Sequence, residues 1–363
     1  MKERRNSRLL SVGGVAIGGG APVSVQSMTN TPTADFDRTE AQIRALTDAG
    51  CDIVRLAVPE EAAAGVFAAM RSRGITVPLV ADIHFDYKLA LASAASGAAK
   101  IRINPGNIGA DWKVKEVADA CAAAGLPIRI GVNGGSLDSA LRRKYGGPTP
   151  AALAESALTQ AEMLEKHGFS QIVLSMKTSS VADTIETYRL AAAQCGYPLH
   201  IGVTEAGDEY SGLIKNAVGI GSLLADGIGD TLRISLTADP VREVYAGREL
   251  LRILELDPRG GIEIVSCPTC GRTKIDLIDL AARFKEASRS VDTKGRRVKI
   301  AVMGCVVNGP GEAREADFGI AGGDGFAVLF RGGETVCRVP ENEIIETLLR
   351  ETKRFIDEPA EKS

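Results

Sequence analysis

Residues 77–107 read VPLVADIHFDYKLALASAASGAAKIRINPGN. The β-branched run Val77 to Ile83 leads into an Ala/Leu-rich helical stretch, a glycine turn and a second apolar run, Ala99 to Asn104. This is one strand–helix–strand unit, and the alternation continues in both directions. The remaining strand candidates are Val23 to Met28, Asp52 to Val58, Pro127 to Asn133, Gln171 to Lys177, Pro198 to Thr204 and Asp230 to Leu236. Eight starts separated by 22 to 44 residues suit a strand, a helix and two loops each. Eight such units close a (β/α)8 TIM barrel, whereas a Rossmann sheet normally stops at six.

The helices between the strands carry their own punctuation. Thr39 to Ala49 ends at Gly50 and Ala151 to His167 ends at Gly168, where left-handed C-cap residues are expected. Gly134 to Pro150, rich in Gly and basic residues, is expected to be a mobile loop over the barrel mouth. The Gly-rich opening Ser11 to Pro22 precedes a strand without entering a helix, so it lacks the context of a phosphate loop. A hairpin plugging the barrel bottom is expected instead. After the last barrel helix, Asp239 to Leu254, residues 255–261 form a Pro/Gly-marked linker. Residues 1–254 are thus read as the barrel and 262–363 as a small α+β domain. That domain carries strands at Ile262 to Ser266, Arg297 to Met303, Phe318 to Ala321, Phe326 to Phe330 and Thr335 to Val339. Its helices are Thr273 to Ser290 and Glu341 to Ile356.

Composition removes whole classes of function. With 363 residues, 43 Lys+Arg against 46 Asp+Glu and 45% hydrophobic residues, the chain can bury a core and is neither fibrous nor disordered. A net charge of -3 argues against a nucleic-acid partner. No run of 18 apolar residues occurs, and the start lacks a signal-peptide core. No membrane association and a cytoplasmic location are therefore expected, and seven cysteines in such a chain point to reduced thiols or a metal site.

Ligands of such barrels sit at the C-terminal ends of the strands, and those ends are basic here. They carry Arg55, Arg102 with Asn104, Arg129 with Asn133, Ser175 with Lys177, and Arg233 with Ser235. Asp82 and His84 end the third strand, Thr204 and Glu205 the seventh. Burying five cations is costly unless they are paired, so an anion with more than one phosphate is the simplest partner. The alternative is internal neutralisation by Asp82, Glu205 and neighbouring acids. His84 is a candidate substrate contact, whereas His200 reads as a satisfied core histidine and His167 as a helix C-terminus. Cys51, Cys121 and Cys195 read as structural.

The second domain contains Cys267-Pro-Thr-Cys270, and Cys305 follows in the run Met303 to Glu312. A C-x-x-C loop puts two thiolates on one metal centre, and a third from a neighbouring strand end adds a corner. Cys337 and Glu312 are both candidates for the fourth position, and iron–sulfur and zinc remain alternatives at this point.

Five motifs then carry a resemblance. Ser266 to Arg272 (SCPTCGR), Met303 to Glu312, Val25 to Thr31 (VQSMTNT), Ala81 to Asp86 (ADIHFD) and Ile101 to Asn107 (IRINPGN) closely resemble the 4-hydroxy-3-methylbut-2-enyl diphosphate synthase family. The resemblance spans essentially the whole chain and matches the family's short, two-domain form. It implies a 4Fe-4S cluster held by Cys267, Cys270, Cys305 and Glu312, and a cyclic diphosphate substrate, 2-C-methyl-D-erythritol 2,4-cyclodiphosphate. It further implies that Glu312 yields its iron position to a substrate oxygen, and that reduced flavodoxin or ferredoxin supplies electrons. On this view Arg55, Arg102, Arg129, Lys177 and Arg233 hold the diphosphate, helped by Asp82, Asn104, Asn133, Thr204 and Ser235. Glu205 and His84 are the candidates for proton delivery. A linker of about seven residues reaches at most roughly 25 Å, so a head-to-tail homodimer with capping in trans is expected. Rival readings are another phosphate-binding barrel enzyme with structural zinc, or a non-catalytic iron–sulfur sensor.

Overall fold

The computed structural model describes residues 1–306 and 313–358. It divides into two compact units, Met1–Leu256 and Asp257–Ser363. The first unit opens with a hairpin of β1 (Leu10–Val12) and β2 (Val15–Ile17). Gly13 and Gly14 turn it with φ of 55° and 95°, as a two-residue hairpin loop requires. Val12 and Ile17 pack on Ile53, Val80 and Val173, the first or second residues of three barrel strands, so the hairpin closes the bottom of the barrel as expected.

The barrel strands are β3 (Ser24–Met28), β4 (Ile53–Ala57), β5 (Leu79–Asp82), β6 (Lys100–Ile103), β7 (Ile128–Asn133), β8 (Ile172–Lys177), β9 (His200–Ile201) and β10 (Thr231–Leu232). They run in parallel in the order β8-β7-β6-β5-β4-β3-β10-β9, and a bridge between Leu174 and Leu199 joins the ends of the series. Two strands are much shorter than their sequence runs: β9 and β10 keep two ladder residues each. Pairing persists beyond them as isolated bonds, such as Arg233 N–H to the Ile201 carbonyl at 3.0 Å. The outer helices cover the strands with apolar faces; the helix Phe36–Asp48, capped by Asp35, buries Ile43 and Leu46. Residues 134–150 depart from the expected loop. A 3-10 turn at Gly134–Ser136 leads to a helix, Ser139–Tyr145, because the Asp138 carboxylate caps the Ala140 N–H and Tyr145 and Lys144 both bond Glu155. Among the described residues no helix is long and apolar enough to cross a membrane.

The second unit is a five-stranded sheet in sequence order: β11 (Gly261–Ser266), β12 (Arg297–Met303), β13 (Phe318–Gly322), β14 (Phe326–Arg331) and β15 (Glu334–Pro340). The first three are parallel and the last two pairings antiparallel. Helices Leu277–Ser288 and Ile344–Asp357 bury Leu280, Phe284, Ile344 and Leu348 against Val298, Ile300 and Ile320. The first of these helices begins four residues later than its apolar pattern suggests, because Asp276 accepts from the Asp279 N–H and sets the N-terminus there.

Candidate active site

Strand pleating turns every second barrel residue inward, so β4, β6, β7 and β8 aim Arg55, Arg102, Arg129 and Lys177 into one space, joined by Arg233 from the residue just after β10. Asp82 on β5 is the counter-charge of two of them, Arg55 and Arg102. Arg102 Nη1 donates to its Oδ1 at 2.9 Å, and Arg55 Nε stands 3.5 Å from Oδ2. Burial alone raises the Asp82 carboxyl, but Arg55, Arg102 and Arg129 outweigh it and hold the group at about 2. Arg233 is paired differently: Glu243, from the following helix, receives its Nε and Nη2 at 3.2 Å each. Met28 Sδ sits between the two groups, accepting from Arg55 Nε and Nη2 at 3.2 and 3.1 Å.

Two glycines make this packing possible. A Cβ on Gly131 would stand 2.5 Å from Arg102 Nε, and one on Gly202 would meet Lys177 Nζ at 2.8 Å and the Arg233 carbonyl at 2.6 Å. The cations are nevertheless under-neutralised among the described residues. Arg129 is 1% exposed, with Nε and Nη1 buried and unpartnered, and Arg102 Nε is also unpartnered. Burial, reinforced by Arg55 and Arg233, lowers the Lys177 amine well below the ordinary lysine value. Donors aimed inward without acceptors are the chemistry of an anion site.

The other expected residues separate by position. Asn104 is buried and its side chain accepts from the Gly106 N–H at 3.1 Å, while Asn133 is exposed at the end of β7. Thr204 and Ser235 are half-buried; the Ser235 carbonyl accepts from Asn216 Nδ2. His84 has a 57% exposed side chain and lies 3.9 Å from Asp82. Glu205 is exposed and holds φ at 51°, a left-handed backbone uncommon for a non-glycine residue. Its exposure removes it from the expected internal neutralisation, which Asp82 and Glu243 perform instead. His200 is fully buried, but its Nε2 has no partner among the described residues, so it is not the satisfied core histidine that its sequence position suggested. His167 pairs with Asp111 at 3.0 Å, and Cys51 and Cys121 are buried as structural residues.

In the second unit, Cys267 follows β11 and Cys305 follows β12, the neighbouring parallel strand. Cys267 Sγ accepts from the Gly304 N–H at 3.4 Å, and the Cys270 N–H donates to Thr273 Oγ1 at 3.1 Å. Cys267 and Cys305 are partly buried and Cys270 is exposed. Thiols from adjacent strand ends, one already bonded to a backbone amide, suit an iron–sulfur cluster in donor type. Among the described residues no three metal-binding side chains are yet gathered into a coordination group, and Glu312 lies outside the described residues. Cys337 is exposed on β15, at the opposite edge of the sheet from β11, which excludes it as the fourth donor on this edge.

Two family models match this arrangement in order: the GcpE TIM-barrel domain over residues 7–248 and the GcpE protein C-terminal domain over 263–354. The chain belongs to the GcpE family. It is 53% identical over 358 residues to a protein of Caldanaerobacter subterraneus subsp. tengcongensis, covering 99% of both chains. It is also 53% identical over 355 residues to one of Geobacter sulfurreducens, covering 98% of this chain and 99% of the other. Both relatives are named 4-hydroxy-3-methylbut-2-en-1-yl diphosphate synthase (flavodoxin). Among solved structures, dihydropteroate synthase of Thermus thermophilus superposes with a TM-score of 0.52 at 19% identity, covering 68% of this chain and 98% of that one. At that identity the likeness extends to the barrel fold alone.

The GcpE barrel also contains groups that strand-end reasoning missed. Glu243 sits on a helix, where an acid reads as surface, yet it is buried and bonds Ser27 and Arg233. Lys100 opens β6 and is 0% exposed; its place two residues before Arg102 was the available signal, since alternate strand residues share a face.

Proposed function

We propose that this GcpE protein reduces 2-C-methyl-D-erythritol 2,4-cyclodiphosphate to 4-hydroxy-3-methylbut-2-enyl diphosphate, with flavodoxin as electron donor. The carrying observation is the buried excess of cations at the barrel mouth: among the described residues, Arg129 and Lys177 have no counter-ion there once Asp82 and Glu243 are taken. Arg55, Arg102, Arg129, Lys177 and Arg233 bind the two phosphates, and Asn104, Asn133, Thr204 and Ser235 orient the carbon skeleton. Asp82 keeps Arg55 and Arg102 aimed inward while substrate is absent. A 4Fe-4S cluster held by Cys267, Cys270, Cys305 and Glu312 supplies two electrons singly when bound. Glu205 and His84, exposed at the rim, deliver the proton that leaves with the departing oxygen as water. The left-handed backbone of Glu205 supports that role, since strained conformations concentrate at functional positions.

Phosphorus NMR on anaerobically reconstituted protein, given the cyclodiphosphate and a one-electron reductant, tests the reaction. A linear allylic diphosphate is expected. Intact substrate in the presence of a full iron–sulfur complement would favour a sensor that binds without turnover.

A further inference from the structure

Lys100 lies on β6 one inward position below Arg102. Two residues along a strand place it roughly 6.6 Å deeper in the barrel. Its Nζ donates one long hydrogen bond, 3.5 Å to Gln26 Oε1, and Gln26 Nε2 has no partner of its own among the described residues. The carboxylates above are engaged, Asp82 with Arg55 and Arg102, and Glu243 with Arg233. From β7 comes Arg129, with two unpartnered nitrogens, and from β9 His200, with Nε2 unpartnered. Lys177, the last residue of β8, adds its charge to those acting on His200. Burial, then repulsion from Arg129 and Arg55, keeps the Lys100 amine well below the ordinary lysine value. Burial and the neighbouring cations likewise lower the His200 imidazole, and among the described residues no carboxylate bonds either group.

We infer that Lys100 sets the affinity of the site for its polyanion, taking up a proton from solvent when the diphosphate enters the mouth. The inference rests on the cyclodiphosphate reading above. Each phosphorus of a cyclic diphosphate carries a single acidic group, already ionised near neutrality, so the ligand itself gains no proton. Its negative charges replace repulsion by attraction around Lys100. One negative charge about 7 Å from an amine, at an effective dielectric of about 20, raises its proton affinity more than tenfold. Binding that takes up a proton weakens as pH rises, by up to about tenfold per pH unit for one proton. Lys100 touches neither substrate nor cluster in this account; it positions the charge balance under Arg102 and Arg129.

The test is calorimetric titration of the oxidised, cluster-loaded full chain with the cyclodiphosphate, without reductant. Runs in Tris and in HEPES at several pH values separate proton uptake from binding heat. Wild type is expected to take up ~0.5 to 1 proton more than Lys100→Met, and its log Kd to rise correspondingly more steeply with pH. Lys100→Arg, permanently charged, should show the same flattened slope while keeping the cation. The wild-type-minus-variant difference separates Lys100 from Lys177, His200 and His84. Equal uptake in wild type and either variant would overturn the role of Lys100 alone. So would absence of uptake in the wild type, whether or not the variants fold. Absence of binding would overturn the substrate reading and this inference with it.

Discussion

Gly131 is the smallest change with the largest expected consequence at the site. Its missing side chain is the space Arg102 occupies, and a Cβ there would sit 2.5 Å from Nε. Gly131→Ala displaces the guanidinium without touching the strand ladder. Calorimetry should show cyclodiphosphate affinity reduced at least ~10-fold, about 1.4 kcal/mol, and thermal melts should show a loss of stability as well, because the displacement strains the buried Arg102–Asp82 pair. Asp82 acts chiefly on stability. Asp82→Asn leaves Arg55 and Arg102 buried without their anion, which costs ~3 to 5 kcal/mol in such pairs, and denaturant melts should report it. Inorganic pyrophosphate should recover part of that loss by binding the native state only. The sign of the pH dependence follows from the direction of the shift. Asp82 titrates at about 2 in the folded chain, below its unfolded value of about 3.9. Its stabilisation is therefore present above about pH 4 and disappears as pH falls through about 2. Acid titration of Asp82→Asn should lack that component.

Between residues and the whole chain, the informative element is the parallel pair β11 and β12. Parallel strands put both C-terminal ends on one side, so Cys267 and Cys305 become neighbours although 38 residues separate them in sequence. Cys337, on the far edge strand β15, is removed by the same sheet order. Iron and sulfide analysis after anaerobic reconstitution should therefore fall sharply in Cys267→Ser, Cys270→Ser and Cys305→Ser, and stay at the wild-type level in Cys337→Ser. Much of the element plan was legible beforehand, because apolar periodicity and glycine punctuation are local properties. The short helix Ser139–Tyr145 was not: its basic face reads as loop, and only the bonds from Lys144 and Tyr145 to Glu155 on the next helix give it a place.

For the whole molecule, the expectation that the active form is a head-to-tail homodimer is tested by dilution. Specific activity should fall as protomers dissociate, in step with mass measured by light scattering; full activity of a monomer would contradict it. Ionic strength offers a second check, since a mouth with surplus cations should bind the cyclodiphosphate more weakly as salt rises. The amino-acid sequence alone determined the eight-fold strand–helix alternation, the bottom hairpin, the thiol motif and the five cations at the strand ends. Each is a matter of residue type at short spacing, and local sterics and patterning settle it. Only the tertiary structure decided which acids neutralise which cations. Glu243 reaches Arg233 from a helix, Glu205 is exposed, and Lys100 and His200 lie beneath the mouth without acids of their own among the described residues. Those relations depend on strand order and barrel closure, which bring together residues far apart in the chain, and so they carry no local signature.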